Sequence, residues 1–251
     1  DENDDNILKI DSKYYTLNEM SNLNIDDNCS LSIFHVNIAS LNKYIDTLHD
    51  LLSVLNFEVK IIGISEHKIQ QDSFLNQNLP GYTFEFQPTK STHGGVGFFI
   101  HNCLTYKLRN DLLITLDDCV ESIFIELIFE NKKNIILGCI YRHPHCSIND
   151  FCDNYITDLL NHISHFDKPC ILMGVFNIDL LKSNSNNATA KFLEIMNSSF
   201  FLPFIQKPSR VTDFSATLID NIFMNSLDYE TVSGNILCLI ADNLLQFFIL
   251  S

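Results

Sequence analysis

Apolar residues in this chain fall into short runs that repeatedly end on a polar side chain. Ser32-Ile33-Phe34-His35-Val36-Asn37 closes at Asn37, and the run from Val59 to Ser65 closes at Glu66. Bounded runs this short, rich in Ile, Val and Phe, predict strands. Between them Tyr44, Leu48, Leu51, Leu52 and Leu55 recur at helical spacing, which predicts a helix over 43–56 lying on the flanking strands. Further strands are predicted at 82–87, at 96–100 after the Gly94-Gly95 pair, at 121–129 and at 134–141. The last two flank Glu130-Asn131-Lys132-Lys133, a hairpin connection. Ser147, with Asp150 three residues on, caps a helix running to about His162.

The chain then reaches Ile171-Leu172-Met173-Gly174-Val175-Phe176-Asn177-Ile178-Asp179-Leu180-Leu181. An apolar run meets a glycine and then alternates with polar groups. This predicts a buried strand opening into a site, with Gly174 admitting another backbone or a ligand. A third helix is predicted over 188–197, then a Pro-punctuated stretch to Pro208 and a strand over 217–223 carrying Asp220. Apolar runs at 236–240 and 246–250 flank Ala241-Asp242-Asn243. Strands interleaved with three or four helices predict an α/β fold, sheet packed on sheet with helices outside. Residues 1–29 are acidic and weakly periodic, a linker with one short helix around Asn18, and 30–251 form the folded unit.

Composition narrows the function classes. The 251 residues are 46% hydrophobic and 19% charged, which is globular. No apolar run approaches the roughly 18 residues that cross a bilayer, and no signal-peptide pattern opens the chain. It begins at Asp1 without methionine, as an excised piece of something longer would. The net charge is −15, and residues 1–30 hold eight acids against Lys9 and Lys13. The rest is still acidic. That argues against a broad basic nucleic-acid platform but suits a metal-dependent site built from carboxylates. The eight cysteines, Cys29, Cys103, Cys119, Cys139, Cys146, Cys152, Cys170 and Cys238, form no C-x-x-C pair. They predict a reduced, intracellular protein without a disulfide framework. His143, His145, Cys146 and Cys152 lie close together, but their spacing matches no familiar zinc pattern.

Asn37, Glu66, Tyr141, Asn177, Asp220 and Asp242 all stand at the ends of apolar strands. Singly, each has a bland explanation as a strand terminator, a solvated acid or a turn residue. Six of them predict a convergent site. Their order, with Ser40-Leu41, Ile64-Ser65-Glu66, Gly94-Gly95-Val96, Tyr141-Arg142-His143-Pro144, Gly174-Val175-Phe176-Asn177, Pro208-Ser209-Arg210, Thr217-Leu218-Ile219-Asp220 and Ala241-Asp242-Asn243, spans about 31–250. This series resembles the endonuclease/exonuclease/phosphatase superfamily, and within it the apurinic-type endonuclease domain of non-LTR retrotransposon polyproteins.

The resemblance implies a four-layer αββα sandwich, two packed mixed sheets flanked by helices, with the site at one edge. It implies a divalent cation, Mg²⁺ or Mn²⁺, hydrolysis of a phosphodiester in DNA, work in the nucleus and a downstream reverse transcriptase. Glu66 resembles the metal-ligand glutamate and Asn37 the asparagine that orients the site. Tyr141 and Asn177 resemble donors to the scissile phosphate. Asp242 resembles the aspartate of a terminal Ser-Asp-His near the metal, Asp220 the acid that orients the histidine of that motif, and Arg210 a contact to the DNA backbone. Two groups depart. Val175 stands at the family's water-activating aspartate, and Asn243 at its histidine. Valine preserves volume and suits a strand, but it neither accepts a proton nor attracts a cation. Asn243 can hydrogen-bond Asp220 or a phosphate without ever becoming charged. Asp179, four residues past Val175, is expected to be structural. The expectation is therefore a DNA-nicking fold with an impaired site and weakened metal binding. The alternatives are a non-catalytic DNA- or partner-binding module and a degenerate element copy; a small-molecule phosphatase fits less well.

Overall fold

The computed structural model describes residues 10–26, 30–70, 79–89 and 93–251; Cys29 and the start of the expected linker lie outside them. Two β-strand–helix–β-strand units organise the chain. Parallel strands cannot be joined by a tight turn, so each pair needs a crossover helix. The first unit is β2 (Leu31–Asn37), α2 (Leu41–Ser53) and β3 (Ile61–Ser65), preceded by β1 (Ser12–Tyr15) and α1 (Leu17–Ser21). Then follow β4 (Tyr82–Gln87), β5 (Val96–His101), β6 (Tyr106–Leu108) and β7 (Val120–Leu127). The second unit is β8 (Ile135–Arg142), the helical stretch α3 (Ile148–Phe151) to α4 (Thr157–Ser164), and β9 (Cys170–Val175). The chain closes with α5 (Asn187–Ser198), β10 (Leu202–Pro203), the two-stranded hairpin β11 (Arg210–Val211) and β12 (Ala216–Thr217), β13 (Asp220–Met224), β14 (Thr231–Ile240) and β15 (Asn243–Leu250).

One sheet has the order β1-β14-β15-β2-β3-β5-β4, the other β10-β13-β9-β8-β7-β6. In the first, β2 and β3 are parallel; in the second, β8 and β9 are. Each sheet also has antiparallel neighbours, so both are mixed. Successive residues of a strand face opposite ways, and here both faces are covered. Ile33, Ile61 and Phe98 join the core between the sheets, whereas Phe34, Ile62 and Phe99 pack on the other face with Leu41, Ile45 and Leu48 of α2. On the far side, Phe151, Tyr155, Leu159 and Phe192 of the helices cover β8 and β9. The layers run helix, sheet, sheet, helix, as the resemblance implies. Among the described residues no helix is long and apolar enough to cross a membrane.

The leading segment differs from the expected linker. Thr16 caps α1 with a capping box to Glu19, close to the expected helix at Asn18. Ahead of it, Ser12–Tyr15 adds a parallel strand to the edge of β14. Four residues with only Tyr15 as a large buried apolar group carry too little periodicity to show as a strand. The helix expected from Ser147 to His162 is also interrupted, by a π-helical turn over Cys152–Ile156, where the Thr157 hydroxyl donates to the Cys152 carbonyl at 2.8 Å.

Candidate active site

Parallel strands end at the same edge, and the predicted polar termini meet there. Asn37 is in register with Ser65, so Asn37 and Glu66 leave the first sheet side by side. Glu66 has φ +58°, a left-handed turn that ends the strand. Its Oε1 accepts a 2.7 Å bond from Asn37 Nδ2, while Asn37 Oδ1 accepts from the Ala39 amide at 3.1 Å. Tyr141, on the opposite sheet, lies near Glu66. Burial, then the nearby carboxylates of Glu66 and Glu121, push that phenol above its ordinary range, so it remains a neutral donor.

Across the second sheet, Glu121, Tyr141, Val175 and Asp220 occupy one row: Tyr141 is in register with Glu121 and with Val175, and Val175 with Asp220. Directly paired residues project to the same face. Val175, buried, thus stands between a phenol and a carboxyl group. Gly174 beside it has φ +148°, and a Cβ there would run into the Ile140 carbonyl, so the close backbone approach predicted for this glycine is made by β8. Asp220 is buried; its Oδ2 accepts from Ser209 Oγ at 2.6 Å, and its Oδ1 has no partner. Burial raises this carboxyl group to about 7.

Asn177 sits in a left-handed conformation, φ +51°, held by a buried arginine. Arg142 Nη2 donates to the Asn177 carbonyl at 2.6 Å, Nε to that of Phe176 at 2.5 Å, and Nη1 to Cys146. Asn177 Nδ2 donates back to the Arg142 carbonyl at 2.6 Å, so one of its amide hydrogens is already engaged. Asn243 is buried at the start of β15 with Oδ1 unpartnered. Ser209, rather than Asn243, supplies the bond to Asp220. Asp242 points outward, 83% exposed at the β14–β15 turn, 3.9 Å from Arg210; its contacts do not include Glu66. Asp179 accepts from the Leu218 and Leu181 amides, the structural role expected of it.

Three contributors had no role in the sequence reading. Arg142 and Ser209 lay inside recognised motifs without an assigned task. Glu121 had no signal beyond starting a strand; its carboxylate takes the Gly95 amide, the Thr89 hydroxyl at 2.8 Å and, at 3.5 Å, His143 Nε2. That clamp fixes the Gly94-Gly95 turn beside the site.

The donor set seats a hard cation in one way only. Among the described residues no three His, Cys, Asp or Glu side chains converge. Glu121 is taken up by Gly95, Thr89 and His143, which leaves Glu66 as the carboxylate available at the centre, with Val175 in place of a second and Asp220 disposed to hold its proton. This fits a Mg²⁺ that takes one protein carboxylate and fills its remaining positions with water and phosphate oxygens. Among the described residues, His143, His145, Cys146 and Cys152 do not gather into a group of three.

Comparison of the sequence with family models and with curated proteins returned no match. Solved structures do match. The AP endonuclease LMAP from Leishmania major aligns with a TM-score of 0.70 at 12% identity, over 90% of this chain and 89% of its own. The endonuclease domain of TRAS1, a telomere-specific non-LTR retrotransposon, aligns at 0.61 and 11%, over 88% and 98%. A 3'-5' exonuclease from Neisseria meningitidis aligns at 0.65 and 13%, over 87% and 98%. The chain has the fold of the endonuclease/exonuclease/phosphatase superfamily.

Proposed function

We propose that this chain is a retrotransposon-type endonuclease domain whose catalytic centre is disabled. The observation that carries the reading is Val175, held in register between Tyr141 and Asp220. An isopropyl group occupies the middle of a row of hydrogen-bonding side chains. The residues that remain can bind and orient. Glu66, fixed by Asn37, would hold Mg²⁺, which when bound offsets charge on phosphate oxygens. Tyr141, neutral, and the second amide hydrogen of Asn177 are donors for a phosphodiester. Neither Val175 nor Asn243 can take a proton from water or stabilise a developing charge as an imidazolium does. Loss of a general base costs about 10²–10⁴ in rate, and loss of a charge-stabilising donor about 10²–10³. The reading carries with it DNA as ligand, a flanking reverse transcriptase and action in the nucleus.

Nicking of supercoiled plasmid with Mg²⁺ or Mn²⁺ tests this, comparing the parent with Val175→Asp/Asn243→His. The double variant should cut at least 10²-fold faster than the parent. Equal cutting by both would refute the roles given to these two positions, and no cutting by either folded protein would remove the active-site assignment.

A second reading, a DNA-binding module without turnover, is favoured by the β11–β12 hairpin. Phe214 at its tip is 99% exposed, and Arg210 stands at its base beside the site. An exposed ring and a guanidinium on one hairpin offer a base a surface to stack on and a phosphate a charged contact. Salt-dependent DNA affinity in the parent, with no cutting by either protein, would favour this reading.

A further inference from the structure

We propose that Glu121 is the positioning residue for Glu66: standing on one sheet, it holds the loop of the other sheet that carries Glu66. The role rests on the reading of Glu66 as the holder of a divalent cation, and adds the group that keeps it in place. The connection runs through a pair of glycines. Glu121 lies in β7, in register with Tyr141. Its Oε2 accepts from the Gly95 amide and its Oε1 from the Thr89 hydroxyl at 2.8 Å, both in the connection between β4 and β5 of the opposite sheet. The glycine carbonyls face the other way. That of Gly94 accepts from the Lys68 amide at 3.0 Å and that of Gly95 from the His67 amide at 3.3 Å. These are the two residues that follow Glu66.

That segment needs holding. Glu66 and Lys68 have φ +58° and +59°, left-handed conformations that residues other than glycine keep only where the surroundings impose them. Asn37 holds the Glu66 side chain; the glycine pair holds the backbone just after it, and Glu121 holds the glycine pair. Gly95 has φ +91°, and a Cβ there would run into the His67 ring, so the turn has no room to move toward Glu66. Glu121 also reaches back to its own sheet. His143 Nε2 lies 3.5 Å from Oε1, and the His143 ring packs edge-on against Tyr141 with centroids 4.8 Å apart. Burial would raise the Glu121 carboxyl, but His143, Gly95 and Thr89 together hold it below the usual range, so it accepts as a carboxylate at neutral pH. Glutamine there could accept from one donor but would meet the other with its own N–H. Groups that orient a metal ligand without touching the metal typically govern affinity by about 10–100-fold.

Two measurements test this: Mn²⁺ binding, read from the electron paramagnetic resonance signal of the free ion, and hydrogen exchange at the 67–68 amides. Glu121→Gln should bind Mn²⁺ about tenfold more weakly than the parent, and its 67–68 amides should exchange faster while those of β3 keep their protection. Gly95→Ala, which leaves the Glu121 charge in place but displaces the turn, should weaken Mn²⁺ binding as well. Tyr82→Phe loses a 2.6 Å bond to the Val59 carbonyl at the far end of β3; it should lower the urea midpoint and keep the parent's Mn²⁺ affinity. Unchanged exchange at 67–68 in Glu121→Gln, or faster exchange spread over every strand, would overturn the role. So would full affinity in Gly95→Ala, which would mean that Glu121 acts by charge alone. Failure of the cation assignment reads differently: Glu66→Gln would then bind Mn²⁺ as the parent does, and the exchange at 67–68 would still decide whether Glu121 holds the turn.

Discussion

Arg142 shows how much of this site is made by side chains that never meet a ligand. A buried guanidinium ordinarily finds a carboxylate; here its partners are main-chain carbonyls of Phe176, Asn177 and the 143–146 turn. Lysine cannot reproduce that fork. If Arg142 acts through Asn177, then Arg142→Lys and Asn177→Ala should each weaken DNA binding about tenfold, and the double variant should be no weaker than either alone. Additive losses in a binding titration would show that Arg142 acts elsewhere. Asp220 makes a second residue-level prediction. Its folded value is raised to about 7, against about 3.9 unfolded. Between those values the folded state holds a proton that the unfolded state has released, so this group's contribution falls as pH rises from 4 to 7. Asp220→Asn should gain on the parent in urea midpoint across that window. A constant difference would mean that Asp220 is ionised when folded.

At the scale of elements, the two crossover units explain why the polar termini converge. Their parallel pairs end at one edge, and antiparallel β13 brings Asp220 there by starting where β9 stops. Loops then complete what strands begin. The segment carrying Ser209 is tied down by Tyr14 of β1, whose hydroxyl donates to the Pro208 carbonyl at 3.1 Å, and by Asn235 of β14, which donates to the same carbonyl at 3.2 Å. The leading strand is therefore a support for the site. Tyr14→Phe should lower stability by about 1 kcal/mol and weaken DNA binding with it, since Ser209 and Arg210 hang from that segment. Stability loss with unchanged affinity would confine β1 to a purely structural role.

The whole molecule packs two sheets face to face, and several of its buried polar side chains are tied into networks. His35 is buried between Gln246 Oε1 at 3.1 Å and Ser65 Oγ at 3.0 Å, and Gln246 Nε2 reaches the Asp220 carbonyl at 2.9 Å. His67 is buried beside Phe84 and Phe86, with Nε2 at 3.0 Å from the Gln87 carbonyl. Burial lowers both imidazoles to about 4, against about 6.5 unfolded. The unfolded chain then binds more protons in that interval, and stability is lost as pH falls from 6.5 through 4. This slope opposes that of Asp220, so single variants are needed to separate them. His35→Asn should flatten the urea-midpoint profile between pH 6.5 and 4; an unchanged profile would mean that His35 does not titrate there.

Much of this protein was written locally. Alternating and continuous apolar runs marked most strands, the helical stripe from Tyr44 to Leu55 marked α2, and the repeated polar strand ends marked Asn37, Glu66, Tyr141, Asn177 and Asp220. These are legible because periodicity and burial are properties of short segments. The order of motifs carried the superfamily fold, which the likeness to solved structures bears out. What the sequence could not decide was partnership. Nothing near Asp220 in the chain announces that Ser209 holds it, that Arg142 grips Asn177, or that Asp242 turns outward to Arg210. Nor does a four-residue strand such as β1 carry enough pattern to be seen before it finds β14. Periodicity reports which face of a segment is buried; which groups meet at that face depends on sheet order and register, and those are set only when distant strands pair.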